Sequence, residues 1–150
     1  TATSLIYSRQ NSLFQIRDAT TITNIARGGY VLSKETGDLV AVIIATGTEV
    51  SLAMEAQKIL AAEGIHVRVV SMPSTFQFDK QEADYKNLVM PKSVPRFAIE
   101  AGVTEYWRKY VGLDGVVIGI DTFGESAPAP VLYNHFGITA AALVAAVKCI

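Results

Sequence analysis

Apolar residues follow two alternating rhythms along this chain. Residues 39–45 (Leu-Val-Ala-Val-Ile-Ile-Ala) form a compact run rich in β-branched side chains, the pattern of a parallel strand covered on both faces. The run ends at Gly47. Thr46-Gly47-Thr48-Glu49 then has the S/T-x-x-E spacing of a capping box, in which the Thr46 hydroxyl accepts an orphan amide while Glu49 reaches back. Val50, Ala53, Met54, Gln57, Leu60 and Ala61 recur at helical spacing, with one polar interruption, and Gly64 stands where a left-handed cap is wanted. Residues 66–71 restart the strand pattern. Residues 39–71 therefore predict a right-handed βαβ unit with a parallel pair of strands.

Further along, Pro73 lacks the amide a ladder needs and ends the strand. Residues 80–89 predict a short helix, residues 96–100 and 115–120 two more strands, residues 104–110 a helix between them, and residues 140–148 a last helix. Residues 29–32 supply a candidate fifth strand. The expected fold is α/β: a three-layer sandwich with an open, mostly parallel sheet of about five strands and helices on both faces. The first forty residues break the rhythm. Residues 5–8 are strand-like, but residues 9–37 are mostly polar, contain Gly28-Gly29 and read as a connector wrapped on a surface.

Composition narrows the function classes. At 150 residues the chain fits one domain, large enough for an apolar core without staples. Cys149 is its one cysteine, so no intrachain disulfide forms. Apolar residues make up 50% and charged ones only 18%, against about 25% charged in a typical soluble domain. A surface short of charge points to cover by another domain or subunit, although a heavily buried three-layer fold lowers the charge fraction too. Thirteen basic and fourteen acidic residues give a net charge of −1 without a basic cluster, which disfavours nucleic acid as a partner. The longest apolar stretches, 39–45 and 140–147, fall short of the roughly 20 residues that span a bilayer, and the start lacks a signal peptide's layout. The expectation is a soluble, cytoplasmic protein with no membrane partner.

Few residues offer chemistry. Gly47 and Thr48 lie where the carboxyl end of a strand meets a helix N-terminus, a place that presents free amides to an anion, though any tight βα turn looks the same. Glu100, in Glu100-Ala-Gly102, sits at the carboxyl end of another strand, the edge where open α/β sheets bind ligands. Glu125 follows a strand similarly. The two carboxylates are candidates for acid and base, or for the commoner work of accepting backbone amides. His66 and His135 lack a base, nucleophile or metal-ligand partner at a diagnostic spacing and read as structural, as does Cys149. Tyr106, Trp107 and Tyr110 read as an interface cluster. No catalytic constellation emerges.

Several blocks taken together resemble the carboxyl-terminal domain of the transketolase family. Leu5-Ile-Tyr-Ser-Arg-Gln-Asn11, Ala26-Arg-Gly-Gly-Tyr-Val-Leu32, Ile44-Ala-Thr-Gly-Thr-Glu-Val50, Val67-Arg-Val-Val-Ser-Met-Pro-Ser74 and Phe123-Gly-Glu-Ser-Ala-Pro128 occur in the family's order, and Phe78-Asp79, Gln81 and the Glu100 block also fit. The resemblance implies an enzyme that moves a two-carbon ketol unit from a ketose phosphate to an aldose phosphate. That enzyme is a homodimer using thiamine diphosphate and a divalent metal, magnesium or calcium. It also implies that both cofactors are held by other domains, so this chain is expected to hold no catalytic, cofactor-binding or metal residue. Its expected partners are the remaining domains and the second subunit. Residues 1–10 are expected to be a remnant strand of the preceding central domain, 11–38 a connector and 39–150 the carboxyl-terminal domain, structural and dimer-supporting, inactive alone. The alternative is a regulatory module binding a phosphorylated metabolite near Gly47, Thr48 and Glu100.

Overall fold

Parity along the strands divides the core in two. The structure, a computed structural model, describes residue 8 and residues 10–149. Five strands, β1 (Tyr30–Ser33), β2 (Ala41–Ala45), β3 (Val67–Ser71), β4 (Arg96–Ile99) and β5 (Val116–Ile118), form one sheet in the order β1-β3-β2-β4-β5. On one face Ala41, Ile43 and Ala45 pack with Val69, Phe97 and Ile99 against two helices, α2 (Val50–Ala62) and α7 (Ala140–Val147). On the other, Val42, Ile44, Val70 and Ala98 meet α3 (Thr75–Asp79), α4 (Ala83–Val89) and α5 (Glu105–Val111). Every residue of β2 is fully buried, as its unbroken apolar run requires. The expected three-layer sandwich is therefore the observed one, and β2 pairs in parallel with both β3 and β4.

The candidate fifth strand is real but runs the other way: β1 pairs antiparallel with β3, placing Tyr30 opposite Ser71, with an irregularity between Val31 and Ser33. The sheet thus draws on the segment read as a connector, which also carries α1 (Ala19–Ile25), a surface helix capped by the Asp18 carboxylate on the Thr21 amide. Gly28, with φ of 86°, explains the Gly-Gly pair. A β-carbon there would lie 2.2 Å from the Ser74 carbonyl oxygen, so only glycine lets the chain enter the sheet beside α3. The strand expected at residues 5–8 lies almost wholly outside the described residues.

Local patterns account for most of the remaining helix boundaries. Gly64 adopts φ of 78° just past α2. The helix expected over 80–89 begins only at Ala83, because Ser74 caps a separate helix, α3, through the Gln77 amide. One helix, α6 (Ala129–Phe136), is absent from the sequence expectations; Pro128 and Pro130 stand at its start, and proline is compatible with a first helical turn, where its missing amide has no partner to lose. Residues 129–147 are together long and apolar enough to cross a membrane. They nevertheless form two helices, broken at Gly137 with φ of 70°, and the second is core.

One ion pair ties the connector to the sheet. Arg68 on β3 meets Glu35 through two hydrogen bonds of 2.5 and 2.8 Å, with both side chains nearly buried, and also donates to the Leu88 carbonyl of α4. This bidentate contact holds the Glu35 carboxyl below the usual carboxylate range. The pair's contribution is thus present above the ordinary carboxylate pKa and lost as acid protonates Glu35. Glu35→Gln should leave a buried guanidinium without its counter-charge and lower stability at pH 7 by about 3 kcal/mol, seen as a lower urea midpoint at unchanged slope.

Candidate functional site at the carboxyl edge of the sheet

The chain leaves β2 toward α2 on one face and leaves β4 toward α5 on the other. Neighbouring strands whose following helices diverge in this way open a crevice between their carboxyl ends, the usual ligand edge of an open α/β sheet. In this fold Ala45 is paired with Ile99, so the segments after both strands start side by side. They border an open cleft of about 600 Å³ that collects Gly47, Thr48, Glu49 and Glu100, with Tyr133 from α6 opposite and Gln10 at the rim.

Two carboxyl groups dominate it. Glu49, only 4% exposed, does not reach back to cap α2, and the Thr46 side chain caps nothing either. The capping-box expectation fails because the single 3-10 turn at Gly47–Glu49 turns the glutamate toward α6. There its Oε1 accepts the Tyr133 hydroxyl at 2.5 Å and the Thr48 hydroxyl at 3.1 Å. Thr48 Oγ1 also lies 2.9 Å from the Tyr133 oxygen, which closes a triangle of two hydroxyls on one carboxylate oxygen. Burial, then the bond to Glu49, pushes the Tyr133 phenol up to about 12. Glu100 is partly buried, and its Oε2 is sealed from solvent without a hydrogen-bond partner. Burial, reinforced by the neighbouring Glu49, raises its carboxyl to about 7. Glu100 therefore keeps its proton to a higher pH than an ordinary glutamate does.

The structure brings together the expected Gly47, Thr48 and Glu100, but not Glu125, which is exposed in the loop before α6 and absent from the cleft lining. The second carboxyl beside Glu100 is Glu49. Its place follows from strand order, since only the adjacency of β2 and β4 puts residues four past one strand and one past the other into one crevice. His66 bonds the Thr36 hydroxyl at 3.0 Å, His135 packs edge-on to Phe136, and Cys149 is exposed. The aromatic cluster read as an interface is mostly core: Trp107 and Tyr110 are each 4% exposed, because α5 lies flat on the sheet, and only Tyr106 faces outward. Among the described residues, no group of three metal-ligating side chains converges.

A family model described as the transketolase-like C-terminal domain matches residues 28–139. The chain belongs to that family. This C-terminal domain is 54% identical over 147 residues to Transketolase 1 of Escherichia coli (strain K12), covering 97% of the chain but only 22% of the relative. Among solved structures, transketolase from Leishmania mexicana superposes with a TM-score of 0.82 at 41% identity, over 94% of the domain and 21% of that chain. A split-gene transketolase described as an inactive β4 tetramer matches with a TM-score of 0.61 at 28% identity, over 83% of the domain and 42% of that chain. The domain thus spans about a fifth of the curated relatives it matches.

Glu100 gives the domain a stability profile with a definite sign. Its folded-state pKa lies above the ordinary glutamate value, so the native state holds the extra proton and stability falls as pH rises from about 4.3 to 7, then levels off. Glu100→Gln, which mimics the protonated form, should abolish this decline. Urea midpoints measured from pH 5 to 8 should converge at the acid end and diverge at the alkaline end, with the variant more stable.

Proposed function

We propose that this chain is the structural, dimer-supporting carboxyl-terminal part of a transketolase. The whole enzyme is a cytoplasmic homodimer that transfers two-carbon ketol units from ketose phosphates to aldose phosphates with thiamine diphosphate and magnesium or calcium. The observation that carries the reading is the match to the C-terminal family model by a chain that spans only 22% of a relative 54% identical to it. The domain divisions keep their proposed form: residues 1–10 from the preceding central domain, 11–38 a connector that lends β1 to the sheet, and 39–150 the domain proper.

Surface chemistry supports the assignment of packing rather than catalysis. Leu13, Phe14 and Ile16 on the connector are at least 75% exposed, and Phe123 on the loop before α6 is 98% exposed. Large apolar side chains left in water along two segments are suited to cover by the rest of an enzyme. The cleft does not suit the cofactors. A diphosphate at Gly47 and Thr48 would face Glu49 and Glu100, and two carboxyl groups repel an anion that the turn amides would attract. The same repulsion weighs against the phosphorylated-metabolite module. In the full enzyme thiamine diphosphate supplies the carbanion chemistry of ketol transfer, and on this reading it does so outside these 150 residues. The split-gene relative described as an inactive tetramer is consistent with a part that is silent by itself.

The purified chain, supplied with thiamine diphosphate and magnesium, should show no ketol transfer between a ketose phosphate and an aldose phosphate. Mixing it with the missing amino-terminal part should restore turnover. Turnover by the chain alone, or no rescue from two folded parts that demonstrably associate, would overturn the proposal.

A further inference from the structure

The helix α6 is lightly held. None of its residues is buried, its amino end follows a loop in which residues 121–128 are exposed, and its carboxyl end is the left-handed Gly137. The loop before it can absorb a rotation, whereas Tyr133 and Phe136 pack half-buried on the core and Ile138, just past Gly137, is fully buried, so the helix can swing only about its carboxyl end. Its polar tie to the sheet is the Tyr133 hydroxyl, which donates to Glu49 and lies beside Thr48. The same hydroxyl lies 3.3 Å from Gln10 Oε1, a second acceptor for its proton, or a donor to it when the carboxamide is flipped. One hydroxyl thus joins α6, the start of α2 and the segment that enters the domain.

We propose that Glu49, Glu100 and Tyr133 form a proton-operated latch, in which protonated Glu100 lets α6 and the incoming segment at Gln10 close on the sheet edge and ionised Glu100 releases them.

The geometry carries the argument. Glu49 is buried and its carboxylate is already occupied by hydroxyls, while Glu100 Oε2 is enclosed without a donor. A neutral carboxyl tolerates that enclosure, but an ionised one loses its hydration and faces a second acidic group, with no donor reaching its Oε2 among the described residues. The groups around the pair are all acidic or neutral: Thr48 and Glu49 from the turn before α2, Tyr133 from α6, Ser8 and Gln10 from the incoming segment, and Tyr106 from α5 in the adjoining hollow. Asp121, nearby in the chain after β5, is already engaged by the amide and hydroxyl of Thr104. No described residue lining either hollow is a lysine, arginine or histidine; Arg9 lies outside the described residues. The least costly relief for ionised Glu100 is access to water, and α6, which has no fully buried residue and follows an exposed loop, is a wall whose movement would admit it. The raised Glu100 pKa of about 7 places the transition within the physiological range.

Hydrogen exchange of the 150-residue chain, read by mass spectrometry at pH 5.5 and 8.0 and corrected for intrinsic rates, tests the latch. Protection over residues 129–136 should fall by about tenfold or more on the alkaline side, since each unit by which a pKa differs between closed and open forms is a tenfold change in their ratio. Protection of α2 and β2 should stay level. Glu100→Gln should keep α6 closed at both pH values, and Tyr133→Phe should open it at both. A wild-type α6 equally protected at both pH values, or a Glu100→Gln chain that still opens at pH 8.0, would overturn the proposal. Carbon-13 titration of the Glu100 carboxyl in the wild type gives an independent reading: an inflection near 7 supports the latch, and one in the ordinary glutamate range sinks it.

Discussion

The complete burial of β2 is the constraint on which the rest of this structure depends. A strand of five apolar residues with both faces dry must have a helical layer on each side, and its alternate side chains must match two separate cores. That demand sends α2 to one face and α5 to the other, which splits the carboxyl edge between β2 and β4. The cleft is thus a by-product of covering the central strand. Whatever follows these two strands in sequence is forced to share one crevice, and here those followers are glutamates.

Much of this was legible in the residues because it depends on short-range pattern. The unbroken apolar run at 39–45, the glycine past α2 and the restart at 66–71 give a parallel pair without any knowledge of the rest of the chain. The candidate strand at 29–32 could also be placed, although its antiparallel direction could not, since direction depends on where the connector enters the sheet. Other features answer to tertiary geometry. Glu49 matches a capping box perfectly by spacing, and it forsakes the cap because Tyr133, 84 residues away, offers a hydroxyl. Trp107 and Tyr110 look like interface aromatics in a short polar helix, but α5 must lie against the second face of the sheet and buries them. The helix α6 has no such local signature, since it is short and its first turn holds Pro130, whose compatibility with a helix depends on its standing at the start.

Two acidic contacts, at Glu35 and at Glu100, show how surroundings decide what an enclosed carboxyl does. Glu35 lies against a guanidinium that donates two hydrogen bonds, so burial strengthens the pair and the carboxylate stays ionised. Glu100 is partly buried too, with Glu49 in place of a cation and an oxygen that no donor among the described residues reaches. The first arrangement fastens the connector to the sheet across the whole neutral range. The second makes the opposite edge sensitive to a single proton.

That contrast bears on why so exposed a helix as α6 is retained at the cleft. A wall secured by apolar burial would be indifferent to pH, because the hydrophobic effect carries no charge to titrate. A wall whose polar tie is one phenol on a carboxylate adds to its apolar packing the electrostatics of everything around that carboxylate. Since Gln10 meets the same phenol, any change in the acidic pair reaches both α6 and the segment at Gln10. The carboxyl edge therefore need bind no ligand to respond to its surroundings: a fold-imposed crevice, two glutamates and a tyrosine are sufficient to link the packing of that edge to the proton concentration around it.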